Sequence, residues 1–349
     1  MSLVLVTGAT GFIGGHVVQA LLSRGYQVRA FLRPGWALET WQSSMGPGGA
    51  ASGPQANLEV AYGDVTDPTA VAAAVHGCDD VVHTAGLYTF WTPRHRRMHD
   101  VNVNGTRIVL QAAADAGVRR IVYTSTVGTV RLDRDGALGD ETEDALPHEL
   151  AGPYKRSKFE AERVARQFAQ QGAPVVIVNP TAPVGPGDSR PTPTGRVILD
   201  FLRRGFPAYV DTGLNFVSAT DVAEGHVLAL ERGRVGERYL LGNMEGNLSL
   251  KALFGALECI TGLAAPRRRV PWALAMAAAY VDWFVEGTIL RHQPRIPLEG
   301  TRMARKRMWV DCSKAVRELG LPQRPVEEAL REAVAWFIAQ HGVAKAVSA

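Results

Sequence analysis

Tyr154 and Lys158, which are four residues apart, are the pair in this chain best suited to proton transfer. On a helix, residues four apart lie on one face, so the phenol and the ammonium would be neighbours. A free tyrosine ionises near pH 10, and its use near pH 7 requires the phenolate to be stabilised by about 4 kcal/mol. A fixed ammonium supplies part of that stabilisation. The pair therefore predicts an acid–base site, although the same spacing also arises by chance.

Three hydroxyl residues, Thr124, Ser125 and Thr126, end a predicted strand before this pair. A hydroxyl at the carboxyl end of a strand can share a hydrogen bond with a substrate oxygen that the tyrosine protonates. The alternative is that each hydroxyl only bonds to its own backbone in a turn. The residues alone leave all three hydroxyls as candidates for the catalytic group.

The chain opens with an apolar strand, a glycine loop and an amphipathic helix, in that order. Gly8 permits a tight turn, Gly11 lets a pyrophosphate approach the backbone, and Gly14 lets the helix pack closely on the strand. Phosphate charges can then bind to the N–H groups where the helix begins. This order predicts a dinucleotide site, and the positive ring of an oxidised nicotinamide would further stabilise the Tyr154 phenolate.

The composition is that of a globular enzyme: 349 residues, 46% hydrophobic and 21% charged, with a net charge of +4. The widely spaced Cys78, Cys259 and Cys312 fit neither a disulfide framework nor a metal site, and predict reduced thiols. The first strand begins by Leu3, which leaves no room for a signal peptide, and no segment is long enough to span a bilayer. We therefore expect a cytoplasmic protein, with the inner face of a membrane left open as its location. The basic stretches in the C-terminal third lack a nucleic-acid-binding module, so no nucleic-acid partner is expected.

Short apolar runs alternate with helical stretches up to about residue 180, which is typical of strands buried on both faces of a parallel sheet. The predicted fold class is α/β: a doubly wound parallel sheet (Rossmann fold) with a smaller, mainly helical substrate region interleaved with it. Residues 1–180 form the predicted dinucleotide-binding domain, which also receives about 214–245, and residues 181–349 form the substrate region. A strand over Phe216–Val222 is expected to lead into a helix over Val222–Leu230, and 35–56 reads as a long surface loop.

These motifs, in this order, resemble the extended short-chain dehydrogenase/reductases, also called the NAD-dependent epimerase/dehydratase family. In that family, the residue matching Thr126 is the hydroxyl of the catalytic triad, Tyr154 is the general acid/base and Lys158 its partner. Ser125, which precedes Thr126, is the second candidate for the hydroxyl. The resemblance also implies cofactor contacts along the chain: a glycine loop, a pair beside the adenine, a segment along the middle of the cofactor and a pair beside the nicotinamide. These are Thr7, Gly8, Thr10, Gly11, Phe12, Ile13 and Gly14; Asp64 and Val65; Thr84, Ala85 and Gly86; and Pro180 and Thr181.

The end of the second strand bears on the choice of cofactor. The run Val28–Arg33 resembles the dihydroflavonol-reductase-like branch of the family. An NAD site has an acidic residue here to bind the ribose 2′-hydroxyl. This chain has Arg29 and Arg33 instead, and Arg33 could pair with a 2′-phosphate. NADP is therefore favoured over NAD, with a solvated arginine as the simpler alternative.

Two further runs, 191–196 and 207–215, make the chain similar to proteins named hopanoid-associated sugar epimerases. That resemblance implies a role near polycyclic triterpenoid lipids. Asn179, Arg190 and Arg196 are the candidate substrate residues, and the arginines would suit a second diphosphate. A helix over 271–285 carries large apolar residues at helical spacing. It could cover the core, close over a lipid-like substrate, or rest on a membrane surface.

The leading hypothesis is an NADP-dependent oxidoreductase that moves hydride between the nicotinamide and a carbonyl or secondary alcohol. The second is a nucleotide-sugar epimerase or dehydratase with retained NAD. A remote third is a non-catalytic protein that senses dinucleotide, which would have no need of Tyr154 and Lys158. The resemblance further implies a homodimer formed through the helices near 100–116 and 154–171.

Overall fold

The short apolar runs form one seven-stranded sheet in the computed structural model, which describes residues 2–36, 57–89, 95–132, 137–150, 152–290 and 292–342. All neighbouring strands are parallel, in the order β10-β6-β5-β4-β1-β2-β3. The seven strands are β1 (Leu3–Thr7), β2 (Gln27–Leu32), β3 (Leu58–Tyr62), β4 (Asp80–His83), β5 (Arg120–Thr124), β6 (Val175–Pro180) and β10 (Arg238–Leu241). The predicted fold class is confirmed.

Helices cover both faces of this sheet, as expected when parallel strands are joined by crossovers. On one face, α1 (Phe12–Ser23) packs against α7 (Ala219–Arg232). The other face is covered by α2 (Pro68–Val75), α4 (Gly105–Asp115) and α5 (Gly152–Gln170). A short helix, α3 (His95–His99), and a π-helical turn, Asp100–Asn104, lead directly into α4.

The C-terminal region is interleaved with the sheet through β10, α7 and a small second sheet. In that sheet, β9 (Gly213–Ser218) pairs in parallel with β7 (Ala182–Val184) and antiparallel with β11 (Asn247–Ser249). A two-residue strand β8 (Ala208–Tyr209) pairs with β12 (Arg268–Arg269). The helices of this region are α6 (Pro193–Leu202), α8 (Leu250–Thr261), α9 (Trp272–Asp282), α10 (Leu298–Met303), α11 (Ser313–Leu319) and α12 (Val326–His341).

The expected strand over Phe216–Val222 is wrong at its C-terminal end. The strand stops at Ser218, whose hydroxyl accepts a hydrogen bond from the Thr220 N–H and so begins α7. Most of the predicted surface loop over 35–56 lies outside the described residues. None of the helices in the described ranges is both long and apolar enough to cross a bilayer.

Two fully buried histidines lie beside the sheet in their neutral form. His83 bonds through Nδ1 to the Thr7 hydroxyl (2.7 Å) and through Nε2 to the Thr106 hydroxyl (3.0 Å). Burial, with the nearby charge of Lys158, lowers the pKa of His83 to about 3. Burial likewise lowers the pKa of His226 to about 4, against the hydrogen bond between its Nδ1 and the Val222 carbonyl.

We expect these histidines to make the fold acid-sensitive. Below pH 6.5 the unfolded chain protonates His226, whereas the folded chain does so only near pH 4. The free energy of unfolding should therefore fall by roughly 1.4 kcal/mol per histidine for each pH unit lost in that window. Urea unfolding of wild type and His226→Gln between pH 7 and pH 4 measures this slope. The pH dependence of the free energy of unfolding should be weaker in His226→Gln than in wild type, by the contribution of one histidine. The control His148→Gln, at an exposed position, should keep the wild-type slope. Equal slopes in all three proteins would contradict the assignment.

Candidate active site

The glycine loop between β1 and α1 has the geometry that a pyrophosphate requires. Gly8 has φ of +72°, and a Cβ there would lie 2.6 Å from the backbone nitrogen of Ala85. A Cβ on Gly14 would overlap the Gly8 carbonyl oxygen. Gly11 is exposed and occupies the N-cap of α1, so the first-turn N–H groups at Phe12 and Ile13 face a residue without a side chain. The cradle fits a dinucleotide phosphate.

The neighbouring threonines have structural partners. Thr7 is fully buried, and its hydroxyl bonds to His83. Thr84 donates its hydroxyl to the Thr7 carbonyl at 2.7 Å. These side chains tie the end of β1 to the end of β4 and so set the position of Ala85 beneath the glycine turn. Thr10 is half-buried in the loop itself, and Gly86 is exposed beyond β4.

Two arginines lie near the end of β2: Arg33, which follows the strand, and Arg190, which comes from a loop far along the chain. Arg33 is exposed directly after the strand. Arg29 faces away, because it donates to Glu59 (2.6 Å) and to backbone carbonyls at the end of α2. Arg190 lies with its guanidinium 4.9 Å from the centre of the Trp36 ring, three residues beyond Arg33. Arg190 was expected at the substrate; the structure places it beside the loop after β2, and a role toward a substrate stays a prediction.

Arg190 reaches this position because its loop passes over α1. The His16 Nε2 atom bonds to the Pro186 carbonyl at 2.9 Å, and burial lowers the pKa of His16 against that bond. A Cβ added to Gly185 would lie in ordinary contact with Phe12, on the first turn of α1. The 185–190 loop therefore lies against the first two turns of α1 and carries its arginine toward the end of β2.

Asp64 and Val65 follow β3. The Asp64 carboxylate accepts bonds from the Thr66 N–H (3.0 Å) and hydroxyl (2.7 Å), and from Arg97 (2.6 Å). Burial would raise the pKa of Asp64, but these donors outweigh it and hold the pKa below its ordinary value. Val65 is buried against Gly105, at the start of α4. Sequence reasoning missed Arg97, which is on the short helix α3.

The three hydroxyls after β5 have three different partners, and this separates their roles. Thr124 bonds to His226 Nε2 at 2.9 Å. Ser125 donates to the buried carboxylate of Glu162 at 2.5 Å. The Thr126 hydroxyl accepts a long hydrogen bond from the Gly128 N–H (3.4 Å) and lies close enough to the Tyr154 phenol to lower its pKa. Only Thr126 of the three therefore meets the tyrosine.

Glu162 joins α5 to the ends of the neighbouring strands. It is almost fully buried and accepts hydrogen bonds from Ser125, from Thr129 at 2.6 Å and from Asn179 at 2.9 Å. Its other oxygen faces Arg166 (2.5 Å) and Arg238 (3.1 Å). Burial would raise the pKa of Glu162, but the two guanidiniums and the hydroxyl donors outweigh it and hold the pKa below its usual value.

This carboxylate had a signal in the sequence that we did not use. Tyr154, Lys158, Glu162 and Arg166 follow one another at intervals of four. Such spacing places all four on one face of α5. A face that carries a tyrosine, a lysine and a carboxylate toward a sheet predicts a buried charge network.

Lys158 is buried behind the tyrosine. Its Nζ donates to the Thr124 carbonyl at 2.6 Å and lies 4.8 Å from the centre of the Tyr123 ring. Burial lowers the pKa of Lys158 to about 8, against the opposing charge of Glu162. Burial raises the pKa of Tyr154 above its ordinary value, the Thr126 hydrogen bond opposes that shift, and the charge of Glu299 adds to it. At neutral pH the phenol is therefore protonated.

Asn102 fastens the loop after β4 to the helix that carries Tyr154. Its Oδ1 accepts from the Leu87 N–H (2.7 Å), and its Nδ2 donates to the Leu87 carbonyl (3.1 Å) and to the Ser157 hydroxyl (2.9 Å). Tyr88, which follows Leu87, places its ring centre 4.5 Å from that of Tyr154. Sequence reasoning missed Tyr88, whose ring forms one wall of the site.

Glu299, from α10, is a second residue that sequence reasoning missed. It is almost fully buried, and its carboxyl fills the space where a side chain at Gly152 would lie, at the start of α5. Burial raises the pKa of Glu299 to about 8, against the backbone N–H and charge of Lys155 and the charge of Arg302. The C-terminal region thus touches the catalytic helix two residues before Tyr154.

The remaining candidates differ in burial and in hydrogen-bond partners. Asn179 is fully buried and donates to the Thr126 carbonyl (3.1 Å) and to Glu162, so it supports the strand ends instead of facing a substrate. Arg196 is exposed on α6. Pro180 ends β6, and the Thr181 N–H and hydroxyl bond to the Leu241 carbonyl.

Residues 4–242 match the model of the NAD dependent epimerase/dehydratase family. The chain belongs to this family. It is an NAD(P)-dependent enzyme of the extended short-chain dehydrogenase/reductase type, and its strand order and glycine loop agree with that family.

Two relatives and one solved structure extend the comparison. A Synechocystis sp. protein provisionally named dihydroflavonol 4-reductase is 42% identical over 97% of this chain and 95% of its own length. Sterol demethylase protein B of Methylococcus capsulatus is 37% identical over 95% and 97%. The crystal structure of gox2253 has a TM-score of 0.82 at 39% identity, covering 99% of this chain and all of that one.

We expect Glu162→Gln to be strongly destabilising. Removing its charge leaves Arg166 and Arg238 partly unpaired in a buried setting, which costs about 3–5 kcal/mol of unfolding free energy. The matched control is Glu160→Gln on the same helix, whose side chain is 49% exposed beside His99. That change should cost less than about 0.5 kcal/mol. Chemical denaturation of both variants compares them, and equal losses would refute the role of Glu162.

Proposed function

We propose that this protein is an NADP(H)-dependent reductase of a carbonyl group, with Thr126, Tyr154 and Lys158 as its catalytic residues. The observation that carries the proposal is that the three hydroxyls at the end of β5 have different partners. Thr124 and Ser125 are occupied by His226 and Glu162, whereas Thr126, with only a long bond from the Gly128 N–H (3.4 Å), lies beside the Tyr154 phenol and lowers its pKa. Two oxygens that face one another in this way can hold one substrate oxygen between them.

The protonation states favour reduction near neutral pH. Tyr154 is a protonated phenol and can donate its proton to the carbonyl oxygen. Thr126 donates a second hydrogen bond to that oxygen as negative charge develops on it. Lys158 lies one turn along the same helix, and its ammonium favours the phenolate that remains. The bound nicotinamide supplies the hydride.

We expect substitutions at the three oxygens to have graded effects. Tyr154→Phe should lower kcat by about a thousandfold and Thr126→Val by roughly a hundredfold, because each removes a donor to the reacting oxygen. Ser125→Ala should keep kcat within about threefold and lose stability instead, since its partner is Glu162. The assay is NADPH oxidation with the best ketone from a panel of triterpenoid, sugar and small aromatic ketones.

The same experiment includes NADPH titrations of each variant, which should bind as wild type does. Full turnover by Tyr154→Phe would overturn the catalytic assignment. A larger loss of kcat from Ser125→Ala than from Thr126→Val would exchange the roles of the two hydroxyls.

The preference for NADP rests on the end of β2. Arg33 is exposed there, and Arg190 packs on Trp36 in the turn that follows. Guanidinium groups bind phosphate through paired charge-assisted hydrogen bonds. Two arginines at the place where an NAD site carries an acid favour a 2′-phosphate.

We expect Arg33→Ala and Arg190→Ala each to weaken NADPH binding by about tenfold, or about 1.4 kcal/mol. NADH binding should change by less than about twofold, because NADH lacks the 2′-phosphate. Arg331→Ala, exposed on α12, is the matched control. Fluorescence titration with NADPH and NADH measures the two affinities of each variant. An equal loss of affinity for both cofactors would show that the arginines do not bind the 2′-phosphate.

The alternative of an epimerase or dehydratase with retained NAD predicts a different result for the purified protein. Denaturation would then release NAD in a one-to-one ratio, whereas the reductase would release little nucleotide and bind NADPH on addition. We propose a lipid-like substrate, supported by the relative named for a sterol demethylase. The hopanoid role, the homodimer and the cytoplasmic location stay predictions.

A further inference from the structure

One surface of the C-terminal region concentrates exposed apolar side chains. Nine of the fourteen large hydrophobic residues that are exposed in the described parts of the chain lie within 274–296. Leu274 is 63% exposed, Val281 65%, Phe284 56% and Ile289 61%. These four residues, on α9 and the π-helical turn Trp283–Ile289 that continues it, define what we call the apolar face. A contiguous exposed patch of this kind marks an interaction surface.

The apolar face belongs to a helix that is held in place on its other side. Met276 and Ala279 are the buried residues of α9. The Trp272 indole donates to the Thr301 carbonyl on α10 at 2.8 Å. The helix is therefore apolar on both sides, with one side packed and the other bare. A helix that only covered the core would carry polar residues on its outer side.

The charges around the apolar face are strongly positive. Residues 267–307 contain nine lysines and arginines and three acidic residues, a net charge of +6, while the whole chain has +4. Two of the three acids have local partners, since Asp282 accepts from the Ile296 N–H (2.8 Å) and Glu286 lies 3.7 Å from Arg295. The third, Glu299, is buried against the start of α5, away from the apolar face. The rest of the chain has a net charge of −2, although Arg267 pairs with Glu258, and Arg269 and Arg307 pair with Asp211, outside this segment.

Two of the arginines are held beside aromatic rings. Arg302 donates to the Tyr280 hydroxyl at 2.9 Å and lies 5.7 Å from the centre of its ring. Arg305 lies 5.4 Å from the centre of the Trp272 ring. Aromatic rings with cations beside them suit the region where lipid headgroups meet acyl chains.

We propose that the apolar face rests on the surface of an anionic lipid bilayer. A second copy of the chain would cover the same residues, but it would bring two segments of charge +6 together, and like charges across an interface are costly. An anionic bilayer accepts the apolar side chains and also pairs with the arginines. This inference is independent of the reductase assignment, because binding to lipid needs no catalytic residue.

The test is flotation of the full chain with vesicles of two compositions. One is phosphatidylcholine alone, and the other has about one part phosphatidylglycerol to two parts phosphatidylcholine. We expect binding to the anionic vesicles at least about tenfold stronger, weakened by added salt. The double variant Val281→Ser/Phe284→Ser should lose about tenfold or more of that binding. Val235→Ser is the matched control, because Val235 is 50% exposed in a different region, and it should bind as wild type.

Thermal unfolding of each protein shows that the variants are folded. Failure of wild type to bind either vesicle would overturn the proposal, as would equal binding by wild type and the double variant. Sedimentation without lipid provides the other contrary result. If wild type is a dimer that Val281→Ser/Phe284→Ser converts to a monomer, the apolar face binds a second copy instead of a bilayer.

Discussion

The buried carboxylate of Glu162 is the interaction on which the arrangement of the site depends. It meets groups from β5, β6 and β10 while belonging to the helix that carries Tyr154. A buried carboxylate must be compensated by donors and charges, and each of those donors can meet it in only one arrangement of helix and strands. The network therefore fixes where α5 lies along the direction of the strands. Tyr154 then faces Thr126, two turns before Glu162 on the same helix.

The same network decides which hydroxyl is available. Ser125 and Thr126 are adjacent on an extended backbone, so their side chains point in opposite directions. Because Glu162 binds Ser125, Thr126 faces the open side of the sheet. Asn179 strengthens this by donating to the Thr126 carbonyl and to Glu162 at once. The hydrogen bonds that compensate the Glu162 charge thus determine which hydroxyl is left for a substrate.

The C-terminal region makes two contacts of opposite character. Inward, Glu299 lies at the start of the catalytic helix, where its charge raises the pKa of Tyr154. Outward, α9 exposes apolar side chains that the fold leaves uncovered. Both features lie within one short stretch of chain, and the hydrogen bond from the Trp272 indole to α10 joins them in space. A surface on which α9 rests would therefore be one helix away from the phenol.

The sequence alone indicated the alternation of strands and helices, the doubly wound parallel sheet, the glycine cradle, and the Tyr154 and Lys158 pair, because these depend on local patterns of period and spacing. It ranked Thr126 above Ser125 only through the family resemblance, and it gave no sign that Arg190 would lie beside Trp36 or that Asn179 would be buried against Glu162, since these positions depend on partners far along the chain. Glu299 and Tyr88 had no local signal either. Only the tertiary structure brings α10 onto α5, or the 185–190 loop onto α1. Contacts between residues distant in sequence are set by packing and charge compensation across the whole fold, and local spacing does not encode them.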